Sequence, residues 1–372
     1  MMRPGGAIMT LNRRTFIGTA IAAMTVGRSA LAAQPMAPGY FAPAEESPHA
    51  RTWMCWPSTG SIYSGPAGYF ESVQETLGRL ALTIAEHEPV AMLVAAGNQS
   101  LAARLCGPKV ELIDIQTDDM WARDSGPVFL RNQPGEVALL DLNFNGWGGK
   151  QEHRLDRKIS ASIAKLVSCP YFKSQVTGEG GGIEYDGEGT LILNESSWVN
   201  DNRNPGWSRE NVEAELKQGL GVDKVIWLPG VRGKDITDAH IDGSVRIVRP
   251  GVLIMGTNPG DNTSDWALAG EEAKKILSKA TDAKGRSFQI AEIPSAVDVR
   301  STRDDFFSGY ANYYVGNGAV YTPQFGDVKA DAHALATLTR LFPDRTVVSL
   351  EVDRIYENGG GIHCVTQQQP AV

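Results

Sequence analysis

Apolar residues along this chain recur at the spacing of amphipathic helices, and each helical stretch precedes a short apolar run that is typical of a buried strand. The pattern predicts five helix-and-strand units, each followed by a loop. The helices are expected at about 71–88, 155–166, 208–219, 266–280 and 330–341. The strands are expected at 90–94 and 110–115 in the first unit, and then at 224–228, 288–293 and 346–352.

Each unit leaves one apolar face exposed, and a neighbouring unit can cover it. Such units therefore pack in a row or in a ring. A ring would bring the five loops to one end, around an axial pocket. The expected fold is therefore a single α/β domain with a fivefold arrangement. A doubly wound sheet is the conventional alternative, but no G-x-G-x-x-G motif follows the first predicted strand.

Four of the predicted loops carry polar residues of a kind that can perform chemistry. A cysteine and a histidine supply a nucleophile and a general acid–base, and three carboxylates make the surroundings strongly anionic. Any one of these residues could have an ordinary structural role, and their distribution over different loops is what favours a shared site. The candidate residues are Asp124, Glu179, His240, Asp242 and Cys364.

The number of acids distinguishes between reaction classes. A cysteine protease or acyltransferase stabilises a developing oxyanion with hydrogen-bond donors, which a pocket of carboxylates would oppose. A guanidinium group is a cationic electrophile whose paired N–H groups match carboxylates. The sequence therefore favours attack of Cys364 on a guanidinium carbon, with His240 as acid and base and Glu179 orienting His240. His363, adjacent to the cysteine, is expected to point away from it.

Composition narrows the class of protein. The chain has 372 residues, of which 42% are hydrophobic and 21% charged, as in a globular protein. The net charge of −8 argues against a nucleic-acid partner and suits a small cationic substrate. The spacing of the four cysteines matches no zinc motif, so we expect no metal or cofactor. Cys55, Cys106 and Cys169 are expected to pack in the core.

Residues 1–33 have the features of an export signal and are excluded from the fold. The pair Arg13-Arg14 resembles a twin-arginine signal, and Ala30-Leu31-Ala32 has the small-x-small pattern of a cleavage site. The apolar run between them is shorter than the roughly 20 residues that span a bilayer. We therefore expect a partner in the twin-arginine export machinery, cleavage near Ala32–Ala33, a periplasmic or secreted domain at 34–372, and no stable membrane association.

Long motifs distributed over the chain after residue 40 resemble the family of agmatine deiminases and bacterial peptidylarginine deiminases. The resemblance implies the pentein fold, a fivefold pseudosymmetric α/β propeller. It also implies that Cys364 forms an amidino-cysteine intermediate, that His240 and Glu179 are the acid–base pair, and that Asp124 and Asp242 bind the guanidinium. The matching stretches are 52–57, 118–127, 143–150, 179–182, 186–190, 240–242 and 358–370.

The resemblance leaves the substrate open. Agmatine, converted to N-carbamoylputrescine and ammonia, is favoured because Asp118, Asp119 and Trp121 offer charge and an aromatic face to its distal ammonium. The predicted export signal instead favours an exported enzyme acting on arginine in peptides. A non-catalytic polyamine- or guanidine-binding protein is the third hypothesis, which the presence of Cys364 disfavours. The sequence allows a homo-oligomer without indicating one.

Overall fold

A computed structural model describes residues 39–304 and 306–372, and its strands group into five small sheets. All of these residues belong to one compact unit. The predicted export signal at 1–33 lies outside the described residues. Within the described ranges, no helix has the length and apolar character required to cross a membrane.

The strands and helices of this part of the chain are as follows. The strands are β1 (His49–Cys55), β2 (Val90–Leu93), β3 (Val110–Ile113), β4 (Val128–Arg131), β5 (Val137–Asp141), β6 (Tyr171–Lys173), β7 (Glu184–Tyr185), β8 (Thr190–Asn194), β9 (Lys224–Leu228), β10 (Val245–Arg249), β11 (Val252–Thr257), β12 (Gln289–Pro294), β13 (Tyr314–Gly316), β14 (Ala319–Pro323), β15 (Thr346–Leu350) and β16 (Gln367–Pro370). The longer helices are α1 (Tyr69–Ile84), α2 (Gln99–Cys106), α5 (Ile159–Val167), α7 (Arg209–Leu220), α8 (Asp265–Lys279) and α9 (Val328–Leu341). Single helical turns are α3 (Ala122–Ser125), α4 (Gly146–Gly149), α6 (Glu195–Trp198) and α10 (Asp353–Tyr356).

Four of the sheets repeat one connectivity. Two strands pair antiparallel, and a helix then crosses over to a third strand that pairs parallel with the second. The repeats are β4-β5-β6 with α5, β7-β8-β9 with α7, β10-β11-β12 with α8 and β13-β14-β15 with α9. The repeated unit is therefore the predicted helix and strand preceded by an antiparallel strand pair.

The fifth sheet joins the two ends of the described chain. β16 pairs antiparallel with β1, which pairs parallel with β2, and β2 pairs parallel with β3. The glutamines of β16 are held by side-chain contacts, since Trp53 Nε1 donates to Gln369 Oε1 at 3.0 Å and Arg123 donates to Gln368 Oε1 at 2.7 Å. This pairing fixes the chain immediately after Cys364.

The five predicted helices are all present, with small differences at their ends. α1 ends at Ile84 rather than near 88, as expected when Pro89 disfavours helical backbone just before it. The predicted start at Ser208 is confirmed, because its hydroxyl accepts the N–H of Asn211 as an N-cap. Sequence analysis did not predict β1, β6, β16 or the four antiparallel pairs β4-β5, β7-β8, β10-β11 and β13-β14.

The cysteines outside the predicted site are packing residues. Cys55, Cys106 and Cys169 are free thiols that pack against apolar clusters. Burial raises the pKa of Cys55 well above its usual value, that of Cys106 to about 12 and that of Cys169 to about 11. These thiols are therefore poor nucleophiles at neutral pH, which agrees with their predicted role in the core.

Candidate active site

The chain segments that follow β3, β6, β9 and β15 meet at one site. A Cβ placed on Gly181 would lie 2.7 Å from His240 Nδ1, 2.8 Å from Asp124 Oδ1 and 3.1 Å from Asp242 Oδ2. The sulfur of Cys364 lies 3.6 Å from Asp242 Oδ2. The structure thus brings a thiol, an imidazole and two carboxylates around one point.

Asp124 is placed by the helical turn α3 and by two neighbouring segments. The N–H of Gly181 donates to Asp124 Oδ1 at 3.0 Å, and Trp147 Nε1 donates to Asp124 Oδ2 at 2.9 Å. The N–H of Arg123 donates to the carbonyl of Cys364 at 3.0 Å, which ties α3 to the cysteine loop. Sequence analysis assigned no role to Trp147, although its glycine-rich surroundings lay in a family motif.

Glu179 is held by a buried arginine that sequence analysis missed. Arg203 Nε lies 2.9 Å from both carboxylate oxygens of Glu179. Arg203 also donates to Asp238 Oδ2 at 2.8 Å. Burial alone would raise the pKa of Glu179, but Arg203 and His240 outweigh it and lower that pKa below its usual value. Glu179 is therefore a carboxylate in this site.

His240 lies between two carboxylates. Its Nε2 is 3.0 Å from Glu179 Oε2, and its Nδ1 is 3.6 Å from Asp124 Oδ2. Burial by itself would lower the pKa of His240, but Asp124 and Glu179 raise it to about 9. His240 is therefore protonated at neutral pH, as a general acid must be before it donates.

The backbone leading into His240 adopts an unusual conformation. Asp238 and Ala239 have φ of 59° and 66°, in the left-handed region that residues with a Cβ seldom enter. The Asp238 carboxylate is held by Lys150 at 2.7 Å as well as by Arg203. The ion pairs stabilise the strained turn that aims His240 into the site.

His363 contacts the carboxylate of Asp242 and holds it in place. Its Nδ1 lies 2.8 Å from Asp242 Oδ2 and its Nε2 lies 3.0 Å from Glu45 Oε2. Burial alone would raise the pKa of Asp242, but the contact with His363 outweighs it and lowers the pKa. Both ring nitrogens of His363 are thus within hydrogen-bond distance of carboxylates. His240 Nδ1 is 3.6 Å from its nearest carboxylate, Asp124, which leaves His240 as the better placed acid–base group.

Cys364 is buried. Burial is the largest cause that raises the pKa of its thiol well above the usual value, and the negative charges of Asp242 and Asp124 raise it further. An empty site therefore favours the neutral thiol. A cation bound between the carboxylates would favour the thiolate, because it offsets the negative charge that the sulfur would otherwise meet.

Asp119 and Trp121 form a wall beside the cysteine loop. Asp119 is buried and accepts hydrogen bonds from Trp121 Nε1 at 2.9 Å and from Gln151 Nε2 at 2.7 Å. The Trp121 ring would lie 2.4 Å from a Cβ placed on Gly360, in the cysteine loop. Only a glycine leaves room for the ring at this position.

The Asp118 carboxylate is engaged by backbone N–H groups. Its carboxylate accepts the N–H groups of Leu155 at 2.6 Å and of Asp156 at 3.2 Å. These contacts cap the helical turn that begins at Asp156 and leads into α5. Asp118 thus has a capping role, and its contact with the distal ammonium of the substrate stays a prediction.

One further group of acids and histidine has the composition of a metal site. Ligand atoms of Glu45, Glu184 and His363 lie within 4.8 Å of one another. The guanidinium of Arg246 lies 2.6 Å from Glu45 and 2.5 Å from Glu184, so both carboxylates are already paired. The arrangement is therefore an ion-pair network that surrounds His363.

The repeated sheets and the cysteine loop define a pentein fold with a thiol, an imidazole and carboxylates in one site. A structure described as the agmatine deiminase of Enterococcus faecalis catalysing its reaction superposes with a TM-score of 0.85 and 27% identity, over 92% of this chain and 98% of that one. A family described as Porphyromonas-type peptidyl-arginine deiminase matches residues 41–370. The chain belongs to this family.

Relatives from bacteria and plants match over almost the whole chain. The agmatine deiminase of Stutzerimonas stutzeri is 36% identical, over 92% of this chain and 98% of its own length. The agmatine deiminase of Medicago truncatula is 35% identical, over 90% of this chain and 97% of its own. The family match at residues 41–370 includes all five sheets and the loops of the site.

Proposed function

We propose that this protein hydrolyses agmatine to N-carbamoylputrescine and ammonia. The observation that carries the proposal is the convergence of Asp124, Asp242 and His240 on one point beside the Cys364 sulfur. Family membership and the names of the relatives support the same reaction. A guanidinium at this point would meet carboxylates with its N–H groups and the sulfur with its carbon.

In the first half of the proposed reaction, the Cys364 thiolate forms a bond to the guanidinium carbon. The thiol proton leaves to solvent when the bound cation lowers the thiol pKa. His240 then donates its proton to one amino group, and the C–N bond to that group breaks to release ammonia. The product of this half is a cationic amidino-cysteine and a neutral imidazole.

In the second half, water replaces sulfur on the same carbon. His240 takes a proton from the water as its oxygen bonds to the carbon, and the C–S bond then breaks to restore the thiolate. The remaining hydroxyl proton passes to the ammonia, so that guanidinium and water become a ureido group and ammonium. Glu179, fixed by Arg203, holds the imidazole in position through both halves.

The buried Asp119 and the adjacent Trp121 support agmatine as the substrate. An aromatic face next to a carboxylate suits an alkylammonium chain end through charge and cation–π attraction. Arginine within peptides is the second candidate, favoured by the family description and by the predicted export signal.

The test is a comparison of substrates. Residues 34–372 would be assayed for ammonia and ureido product with agmatine, free arginine and an arginine-containing peptide, and Cys364→Ser would serve as the inactive control. We expect turnover of agmatine to exceed that of the other two and to disappear in the control. Faster turnover of the peptide would replace the proposed substrate, and turnover of none would refute the proposed function.

We also propose that the twin-arginine export machinery recognises the chain and delivers it to the periplasm or the outside. Arg13, Arg14 and the Ala30-Leu31-Ala32 pattern support this. In cell fractions, we expect the wild type outside the cytoplasm with an N-terminus near Ala33. The double variant Arg13→Lys, Arg14→Lys should remain inside as precursor. A wild type found full-length in the cytoplasm would contradict the proposal.

A further inference from the structure

Glu45 lies in the segment that precedes β1, and this segment contacts two of the sheets. Near its start, Phe41 exchanges backbone hydrogen bonds with Arg131 of β4, both at 2.9 Å. Immediately after Glu45, the carbonyl of Glu46 accepts a hydrogen bond from Arg345, next to β15, at 2.7 Å. The segment is therefore fixed on both sides of Glu45, and the Glu45 side chain, 12% exposed, is largely withdrawn from solvent.

The Glu45 side chain ends a row of three groups that begins in the active site. The carboxylate of Asp242 lies 2.8 Å from His363 Nδ1, and the other ring nitrogen, Nε2, lies 3.0 Å from Glu45 Oε2. Glu45 is held in turn by Arg246 Nη2 at 2.6 Å, and its Oε1 accepts the N–H of Val315 at 3.2 Å. Each group of the row is therefore fixed by the next.

Hydrogen-bond chemistry gives Glu45 an effect on the ring between the two acids. A carboxylate can only accept a hydrogen bond, and a neutral imidazole carries an N–H on one of its two nitrogens. With the proton on Nδ1, a bare Nε2 would face Glu45, and with the proton on Nε2, a bare Nδ1 would face Asp242. Donation to both acids requires a proton on both nitrogens, so Glu45 favours the ring form that is cationic beside Asp242.

The other end of the row faces the position proposed for the guanidinium. The oxygen of Asp242 that His363 contacts, Oδ2, lies 3.6 Å from the Cys364 sulfur and 3.1 Å from a Cβ placed on Gly181. A carboxylate oxygen has two lone pairs, so Oδ2 can accept hydrogen bonds from His363 and from a guanidinium at the same time. A shift of the His363 ring would therefore displace the oxygen that meets the substrate.

We propose that Glu45 is a positioning residue of the active site, which holds His363 so that Asp242 stays charged and aimed at the guanidinium. Glu45 acts through the ring and does not contact the substrate itself. The proposal rests on the proposed function in taking Asp242 as a guanidinium-binding group. It adds a residue from the segment before β1, to which sequence analysis assigned no role in the site.

A second acid of the same network provides a matched control. Glu184 also pairs with Arg246, whose Nε it contacts at 2.5 Å. A carboxylate oxygen of Glu184 lies within 4.8 Å of a ring nitrogen of His363, yet its hydrogen bonds within residues 39–304 and 306–372 do not include the ring. Glu45→Gln and Glu184→Gln each remove one carboxylate from Arg246, but only the first removes the carboxylate that the ring contacts. A purely structural role of Glu45 would make the two variants alike.

The test measures binding of a guanidinium group without requiring turnover. Methylguanidine, which carries the group that agmatine and arginine share, would be titrated as a protector of Cys364 against alkylation by iodoacetamide, a neutral reagent. We expect the methylguanidine concentration for half protection to rise about tenfold in Glu45→Gln, the scale of one lost hydrogen bond to a charged group. In Glu184→Gln we expect it to remain close to the wild-type value.

Turnover of agmatine separates binding from chemistry. Because Asp242 would hold the guanidinium before and during the reaction, we expect Glu45→Gln to raise KM about tenfold while kcat changes little. His363→Asn keeps an amide donor two bonds from Cβ, where Nδ1 stands in histidine, but has no counterpart of Nε2. In this background Glu45→Gln should add no further rise in KM, since residues that act in one chain of contacts are not additive.

The protection curves separate this inference from the proposed function. An unshifted curve in folded Glu45→Gln, or equal shifts in Glu45→Gln and Glu184→Gln, overturns the inference even if agmatine is turned over. A shift in Glu45→Gln alone supports it even if agmatine is not turned over, in which case the proposed substrate fails while the role of Glu45 stands. Should Glu45→Gln fail to fold, Glu45→Asp keeps the charge but retracts it from the ring by one methylene, and should shift the curve in the same direction.

Discussion

Replacing Gly181 with alanine should abolish most of the activity while leaving the fold intact. The added methyl would lie within 3.1 Å of His240 Nδ1, Asp124 Oδ1 and Asp242 Oδ2. It would therefore separate these groups and occupy space that guanidinium N–H groups need. We expect kcat/KM for agmatine to fall about a hundredfold or more, the scale of a small misplacement at a reacting centre.

The fold should survive because Gly181 does not have positive φ, so an alanine is not strained there by its backbone. Gly270→Ala is the control, since a Cβ at this position in α8 would meet nothing within 4 Å. It should retain full activity and gain up to about 1 kcal/mol of helix stability. Full activity in Gly181→Ala would show that the three atoms do not form the guanidinium site.

Replacing Arg203 with methionine should have the largest effect on stability. The change leaves the carboxylates of Glu179 and Asp238 buried without the guanidinium between them. Breaking one side of a buried ion pair costs about 3–5 kcal/mol. Activity should fall about a hundredfold or more as well, because Glu179 no longer fixes His240 and the strained turn before His240 loses a support.

Urea unfolding and agmatine turnover would measure the two effects of Arg203→Met. Arg209→Met is the control, because Arg209 pairs with Glu195 at 3.4 Å on the surface, where both side chains are nearly half exposed. Such a pair contributes about 0–1 kcal/mol. An Arg203→Met protein as stable and as active as Arg209→Met would contradict the role assigned to Arg203. If Arg203→Met does not fold, Arg203→Lys keeps the charge but loses the paired contact, and should show reduced turnover.

The residues of the site could be predicted because each stands in a loop with a clear pattern. The apolar periodicity located the five helices, and the loops between them contained the thiol, the imidazole and the acids that the structure brings together. Within the glycine runs at 180–182 and 359–361, Gly181 passes close to His240, Asp124 and Asp242, and Gly360 passes close to Trp121 and Cys364. Their chemical roles remain predictions that the experiments above address.

The supporting residues could not be predicted because their roles come from contacts between distant segments. Arg203 reaches Glu179 and Asp238, and Glu45 reaches His363, across 24 to 318 positions of the chain. Asp118 shows that a position near site residues in sequence does not by itself indicate a role in the site. It adjoins a buried wall residue in sequence, yet its carboxylate caps the turn that leads into α5. Neither kind of role leaves a local pattern of apolar and polar positions.

The strand β16 was missed for a related reason. Consecutive glutamines have little intrinsic preference for strands. In the structure they pair with β1 and are held by Trp53 and Arg123, which lie far from them in sequence. Pairing of this strand with the first one closes the fivefold arrangement and anchors the cysteine loop, so an important part of the site depends on an unpredicted element.

Trapping the covalent intermediate would test most directly whether Cys364 is the nucleophile. The enzyme would be mixed with agmatine, quenched with acid during turnover, digested and analysed by mass spectrometry. We expect a peptide containing Cys364 that carries the mass of agmatine less ammonia, and no such peptide in Cys364→Ser. An adduct on another residue, or turnover that persists in Cys364→Ser, would contradict it.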